Sequence, residues 1–284
     1  MYGVKPRNHR RDALSLSQVP ILIILLVYFA IIAYPLFWIL MSSLKTTEDI
    51  SVNIWALPKV PQWHNYTDAW RFGISGYFIN SIIVTVSTIF AVLIIASLGA
   101  YGLSRFRAPW LKYVLVFVMG GMMLNPQVCL IPLYKLLTAL KLRNTYWALI
   151  IPYTTFRLPL NILLIRTFFL SIPKEIEESA KLDGCTNLQT YARIFVPMST
   201  PIMITGAILT AYYAWNEFMF AIIFIDSNKY RTIPAGLMAF RDALQINWGP
   251  LIAGMVIASL PLVLFFLFAQ KQFIRGMTAG SVKG

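Results

Sequence analysis

Six long apolar stretches alternate with shorter segments that carry most of the charged residues, and this alternation dominates the pattern of the 284-residue chain. A transmembrane helix needs about 20 predominantly apolar residues, and each stretch reaches that length. The pattern therefore predicts an all-α membrane protein with six transmembrane helices. The predicted spans are residues 19–41, 73–104, 113–134, 145–165, 198–225 and 248–269.

Composition supports an integral membrane protein. Hydrophobic residues make up 58% of the chain and charged residues only 12%. Soluble domains average about 45–50% apolar and about 25% charged residues. The first apolar stretch is longer than the core of a signal peptide and lacks a small-residue cleavage site. We therefore expect it to be retained as a membrane span.

The distribution of charge predicts the orientation of the spans. The net charge is +13, but the basic residues are dispersed among the spans, which fits membrane orientation better than binding to nucleic acid. Lys5, Arg7, Arg10 and Arg11 place the leader, residues 1–18, in the cytoplasm. Six spans then place the tail, residues 271–284, on the same side. The aromatic-rich segment 42–72 is expected to be an extracytoplasmic loop across the outer rim of the bundle.

Few polar residues lie within the predicted spans, and these are the candidates for a translocation path. Asn125 and Gln127 flank Pro126, which should break the third span; a wet path and a structural kink are both consistent with this pattern. A charged residue inside a membrane is costly and usually faces water or a partner. Arg157 is therefore expected either in the path or in a buried structural contact.

The fifth span carries the second set of polar candidates, Asn216 and Glu217. Glu217 lies too deep for easy solvation, so it is either paired, with Arg157 as one conceivable partner, or close to the aqueous path. Elsewhere in the chain, His9 and His64 are isolated from other metal-binding residues. The sequence therefore predicts no metal site.

A charged segment of about thirty residues, 171–200, interrupts the apolar pattern before the fifth span. Pro173 suits the first turn of a helix, and Gly184 suits the left-handed residue that ends one. The segment is therefore expected to form two short helices joined at Gly184, the second starting near Asn187. Small and apolar side chains recur at helical spacing in the first helix and predict a face that inserts into a partner: Ile176, Ser179, Ala180 and Asp183.

The spacing in this segment resembles the "EAA" loop of ABC importer permeases. Glu178, Ala180 and Gly184 stand at the family's intervals, while Ser179 replaces the usual Ala and Val196 the usual Leu. Trp215-Asn216-Glu217-Phe218 and the tail are similar to the corresponding parts of carbohydrate permeases. The resemblance implies that the loop couples this chain to an ATPase through seven residues: Glu178, Ser179, Ala180, Asp183, Gly184, Ile194 and Pro197.

The same resemblance implies a type I ABC importer transmembrane fold in a bacterial cell membrane, with residues 73–270 as the core domain. It also implies the partners: a second homologous permease, an ABC ATPase dimer that binds ATP and Mg, and an extracytoplasmic solute-binding protein. This chain itself is expected to bind no cofactor. The shorter permease of maltose or oligosaccharide systems is the most similar type.

Missing motifs limit the chemistry that this chain can perform. A phosphate-binding loop needs a Gly-Lys pair, and no Gly-Lys dipeptide occurs. No catalytic constellation is evident either, so the chain is expected to be a transport subunit and not an enzyme. Two alternatives remain open: an ABC permease for another solute, such as a sugar-phosphate or amino acid, and an ATP-independent carrier or channel.

Overall fold

The computed structural model describes residues 19–243 and 247–279, so the predicted leader 1–18 and the last five residues of the tail lie outside the described residues. Within those ranges the chain is all-helical, as predicted, with no β-strand. The helices are α1 (Val19–Ser42), α2 (Thr47–Val52), α3 (His64–Ala69), α4 (Ser75–Arg105), α5 (Leu111–Gly121), α6 (Leu130–Ala139), α7 (Trp147–Ser171), α8 (Lys174–Leu182), α9 (Asn187–Thr190), α10 (Val196–Met198), α11 (Thr200–Asn216), α12 (Met219–Phe224), α13 (Ile233–Ala243) and α14 (Trp248–Ala279).

The length and composition of the helices show which of them could cross a membrane. Among the described residues, four helical stretches are long and apolar enough: α1, the stretch His64–Arg105 that joins α3 to α4 through a π-helical segment, α7, and Trp248–Leu267 of α14. A fifth span is obtained if the bent pair 187–198 and 200–216 is counted as one. The side chains of α1 are exposed on nearly every side, which is stable only if lipid surrounds this helix.

The third predicted span is not one continuous helix. It consists of α5 and α6, whose 11 and 10 residues extend about 15 Å each, half of the hydrocarbon thickness. Between them the side-chain oxygen of Asn125 accepts a 2.9 Å hydrogen bond from the backbone N–H of Gln127. This local turn and Pro126, which cannot donate a backbone hydrogen bond, explain the break.

The fifth predicted span, residues 198–225, is also wrong as a single helix. It is bent by 76° at Ser199, between α10 and α11. It is then interrupted at Glu217, whose backbone is extended, before α12 begins. α11 therefore begins at a bend and ends at a break in the helix.

The other predicted spans differ from the structure mainly at their ends. α7 continues six residues beyond the predicted limit of 165 and ends directly before the charged segment. α14 continues to Ala279, so the predicted tail begins as helix. The expected outer loop after α12 contains α13, and the backbone N–H of Ile233 donates to the Ser81 hydroxyl at 2.8 Å.

The segment predicted as a loop at 42–72 is held tightly by hydrogen bonds and contains α2 and α3. The buried Asn65 side chain donates to the carbonyls of Ser43 and Lys45, both at 2.9 Å. Lys45 is buried and donates to the carbonyl of Ile54. Burial lowers the pKa of the Lys45 ammonium because it disfavours the charged form.

Close packing between α4 and α13 provides a test of this architecture. A Cβ at Gly236 would lie 2.2 Å from Cδ2 of the buried Tyr77 ring and 2.4 Å from its Cγ. Overpacking of this kind costs about 1–3 kcal/mol. We expect Gly236→Ala to lower the thermal unfolding midpoint of the detergent-purified protein.

The matched control is Gly76→Ala, next to Tyr77 on α4, where an added Cβ meets nothing within 4 Å. This variant should keep or slightly raise the midpoint because alanine is the better helix former. Equal midpoints for the two variants would contradict the described packing of α13 on α4.

Candidate coupling site and translocation path

The charged segment forms the two short helices that the sequence predicts. α8 ends at Leu182 and is followed by Gly184 with φ +79°, the left-handed conformation that glycine adopts without strain. α9 begins at Asn187 behind a capping box, in which Thr186 and Gln189 satisfy each other's backbone N–H groups. The start near Asn187 and the turn at Gly184 are both confirmed.

The predicted insertion face of α8 is split by the structure. Ala180 is buried and Ile176 is half-buried, and Ile176 packs against the apolar cluster at this end of the bundle. Ser179 and Asp183 are exposed. Hydrophobic packing turns the apolar half of the face towards the chain itself, so it is not free for a partner.

The outward side of α8 has a different composition. Glu178 is exposed there, and Leu182, one turn further along, is 89% exposed. Leu188, on α9, is 67% exposed. Two exposed leucines beside a turn form an apolar tip within a charged segment, which is the composition expected of a contact surface.

Arg105, the last residue of α4, joins this segment to the bundle. Its Nη2 donates to the carbonyls of Phe169 and Ile172 at 2.5 and 2.8 Å, where α7 ends. Its Nη1 lies 3.6 Å from the carboxylate of Glu177 on α8, and its guanidinium lies 4.7 Å from the ring centre of Phe195. The Arg105 side chain is 5% exposed, so one buried cation contacts three parts of the chain.

An aromatic cluster surrounds this cation. Phe195 packs edge-on against Phe169 and Tyr101, with ring centres 5.2 and 5.1 Å apart. The hydroxyl groups of Ser97 and Tyr191 lie 2.7 Å apart, which adds a polar link between α4 and the π-helical segment Tyr191–Phe195 that continues α9. The segment is therefore fixed to α4 and α7 as a rigid unit.

The last two coupling candidates lie beyond the cluster. Ile194 is half-buried against it and Pro197 is exposed. Both precede the bend at Ser199, whose hydroxyl bonds back to the carbonyl of Phe195. They are placed where the segment turns back into the bundle.

Glu217 forms a helix cap and not an ion pair. Its carboxylate accepts from the backbone N–H groups of Phe220, at 2.9 and 3.1 Å, and Ala221, at 3.3 Å, at the start of α12. It also accepts from the hydroxyl of the fully buried Tyr153 at 2.6 Å. Arg157, one conceivable partner of Glu217, does not pair with it in this structure, because the ion pairs of the described residues include neither side chain.

Arg157 has other neighbours. Its guanidinium lies 5.1 Å from the ring centre of Tyr213, and Nη2 donates to the Leu209 carbonyl at 3.3 Å. Its Nε is buried and has no hydrogen-bond partner. Tyr213 in turn packs edge-on against Tyr153 at 5.7 Å, so the two tyrosines separate Arg157 from Glu217.

The remaining path candidates lie on exposed surfaces. Asn216 is exposed at the end of α11, with its amide donating to the Tyr212 carbonyl at 2.8 Å. Asn125 and Gln127 are exposed in the break between α5 and α6. No recorded contact joins these two residues to Arg157 or Glu217. Within the described ranges, no three His, Cys, Asp or Glu side chains come close enough to hold a metal ion.

Sequence reasoning missed three residues of these sites: Arg105, Leu182 and Tyr153. Arg105 had a signal, because it ends a long uncharged stretch directly before the chain leaves the membrane. Leu182 is an apolar residue next to the predicted turn within a charged segment. Tyr153 gave no signal, because only the folded structure brings its hydroxyl to Glu217.

The fold and these sites define a helical membrane protein whose charged helix-turn-helix is rigidly attached to the bundle. The family model of the binding-protein-dependent transport system inner membrane component matches residues 93–279. The chain belongs to this family of ABC transporter permeases, which are multi-pass membrane proteins.

Similar proteins support this assignment. The chain is 53% identical over 283 residues to the probable ABC transporter permease YurM of Bacillus subtilis, covering 99% of this chain and 94% of that one. It is 37% identical over 210 residues to the trehalose/maltose transport system permease MalG of Thermococcus litoralis, covering 73% and 75%. The fold matches a chain of a bacterial ABC transporter involved in alginate import, with TM-score 0.77, 23% identity and coverage of 92% and 99%.

Arg105 gives the first prediction for the coupling site. Its contact with α8 is the ion pair with Glu177, whose two side chains are 5% and 13% exposed, and removing one partner of a buried pair costs about 3–5 kcal/mol. Arg105→Gln should therefore release α8 from the bundle and raise amide hydrogen exchange in residues 174–182 by about 10–100-fold. Hydrogen-exchange mass spectrometry of the detergent-purified protein measures this change.

The control is Lys181→Gln, which removes the exposed pair between Lys181 and Glu177 (2.7 Å) and leaves Arg105 intact. Exposed pairs contribute about 0–1 kcal/mol, so exchange should change little. If Arg105→Gln leaves the protection of α8 at the wild-type level, Arg105 does not hold this helix.

The cap at Glu217 gives the second prediction. Glu217→Ala removes the acceptor of the Phe220 N–H and leaves the buried Tyr153 hydroxyl unpaired, at a cost of about 1–3 kcal/mol. Glu217→Gln keeps one side-chain oxygen that can accept from both the Phe220 N–H and the Tyr153 hydroxyl, so it should lower the stability less. Thermal unfolding midpoints in detergent distinguish the two variants, and a wild-type midpoint for Glu217→Ala would contradict the cap.

Proposed function

We propose that this chain is a transmembrane permease subunit of an ATP-driven, binding-protein-dependent importer of a sugar or oligosaccharide. The observation that carries the proposal is the exposed helix-turn-helix 171–200, fixed by Arg105 to the ends of α4 and α7. Family membership supports it. The proposed partners are a second homologous permease, a separate ABC ATPase dimer that binds ATP and Mg, and an extracytoplasmic solute-binding protein.

The attachment of α8 suggests how energy reaches the bundle. A helix held at both α4 and α7 moves with them as one body, because the Arg105 contacts would be lost if it moved alone. ATP-driven closure of the ATPase dimer would displace α8, and α4 and α7 would follow. Alternating access is then a switch between two packings of the bundle.

The proposed topology has six crossings with both termini in the cytoplasm. α1, α4, α7 and α14 provide four of them. α5 with α6, and α11 with α12, would provide the other two as broken spans. Broken helices are tolerated at membrane depth where protein or water satisfies the freed backbone groups, and the Glu217 cap does this for α12.

A sugar is the preferred solute because the name of the MalG relative is that of a trehalose/maltose system. The exposed polar surface of α11 is compatible with it: Tyr212 and Asn216 offer an aromatic ring and an amide. A sugar-phosphate remains the alternative within the same family.

Leu182 provides the test of coupling. Leu182→Asp places a charge on the apolar tip and should lower ATP-dependent uptake by about tenfold or more, because interface leucines that become charged lose their packing and are costly to desolvate. Uptake is measured in proteoliposomes that contain the complete importer. Leu182→Met keeps the apolar contact and should transport at close to the wild-type rate.

Normal uptake by Leu182→Asp, at equal amounts of protein in the membrane, would show that the tip does not contact an ATPase. Uptake by this chain alone, without ATP, would favour the carrier or channel alternative.

A further inference from the structure

We propose that Arg157 is an anion-binding residue in the translocation path, and that the imported solute is an acidic sugar bearing a carboxylate or phosphate group. This inference rests on the proposed function and specifies its substrate class. It depends on the charge balance around Arg157, on its unused donors and on the surface beside it.

The positive charge of Arg157 is not compensated within the described part of the chain. The ion pairs there join Arg105 and Lys181 to Glu177, and Arg143 to Asp226. Glu217, the acidic residue of the following broken span, directs its carboxylate to the start of α12 and to Tyr153. A cation at membrane depth without a counter-charge is costly, so beyond the Leu209 carbonyl and the Tyr213 ring it needs water, a partner subunit or an external anion, and we assign it the anion.

The Arg157 guanidinium also has N–H donors that are not used in hydrogen bonds within the protein. A guanidinium carries five N–H donors in a planar fork. Arg157 uses one recorded hydrogen bond, the 3.3 Å contact with the Leu209 carbonyl, and its Nε has no partner. A planar fork with free donors matches the two oxygens of a carboxylate or phosphate better than any neutral hydroxyl does.

The neighbouring residues of α7 are consistent with a polar environment. Thr154 and Asn161 lie one turn before and one turn after Arg157, and both are buried. The Thr154 hydroxyl and the Asn161 side-chain carbonyl have no partner, although the Asn161 amide donates to the Arg157 carbonyl at 2.9 Å. The Asn161 side chain also packs against Gly206 and donates to the Thr210 hydroxyl of α11, so Arg157 lies on a stretch of α7 that carries buried polar side chains where it meets α11.

The helix that contacts Arg157, α11, also exposes residues that suit the rest of a sugar. The Tyr213 ring lies beside the guanidinium, and Tyr212 and Asn216 are exposed on the same helix. An aromatic ring can pack against the apolar face of a sugar, while the amide can bond its hydroxyl groups. A solute with one acidic group would use the cation and this surface together.

Matched neutral and acidic sugars test the inference in proteoliposomes that contain the complete importer with its binding protein. The probes are maltose with maltobionate, for a carboxylate, and trehalose with trehalose 6-phosphate, for a phosphate. We expect ATP-dependent uptake of an acidic probe. Arg157→Gln should lower it by about tenfold or more, Arg157→Lys by less, and neither should change the uptake of a neutral probe by more than about twofold.

Binding is measured separately on the detergent-purified importer without ATP. Maltobionate or trehalose 6-phosphate should raise the thermal unfolding midpoint of the wild type and not that of Arg157→Gln. This measurement tests the anion site even if no ATP-dependent uptake is found. An absence of uptake would instead count against the proposed function.

Three results would overturn the inference. They are uptake of the neutral probes alone, no stabilisation by either acidic probe, and an equal loss of neutral and acidic uptake in Arg157→Gln. The last result would assign Arg157 to a contact with a partner subunit.

Discussion

One buried cation, Arg105, determines how the charged segment can act on the membrane helices. A buried guanidinium is costly unless it is bonded and paired, and Arg105 bonds the carbonyls of Phe169 and Ile172 through Nη2 and forms an ion pair with Glu177, while its Nε has no partner. These contacts come from α4, α7 and α8. Any force on α8 is therefore transmitted to two long helices, and the rigidity of the segment follows from the cost of exposing this charge.

The breaks in the fifth span complement that rigidity. The 76° bend at Ser199 separates the charged segment from α11, and the interruption at Glu217 separates α11 from α12. α11 is therefore a short rod between two discontinuities, and it carries Tyr213 and the carbonyl that contacts Arg157. A helix of this kind can change its packing without unfolding, because the continuous helix is already interrupted at both of its ends.

The sequence predicted the features that local chemistry controls. A long uncharged run predicted α4, an apolar run with the single charge Arg157 predicted α7, and Pro173 with Gly184 predicted the two helices of the charged segment. The interruption at Glu217 was not predictable, because no proline or glycine lies there and the cap depends on Tyr153, 64 residues away. The split face of α8 was missed for a similar reason: helical spacing shows which side chains share a face, but not what that face packs against.

Coupling to a separate ATPase is the central claim, and a pull-down tests it most directly. The tagged chain would be purified in mild detergent, and ATPase activity measured with and without the solute-bound binding protein. We expect co-purification of an ATPase and a second permease, with activity stimulated by the loaded binding protein. A homo-oligomer without ATPase activity would contradict it.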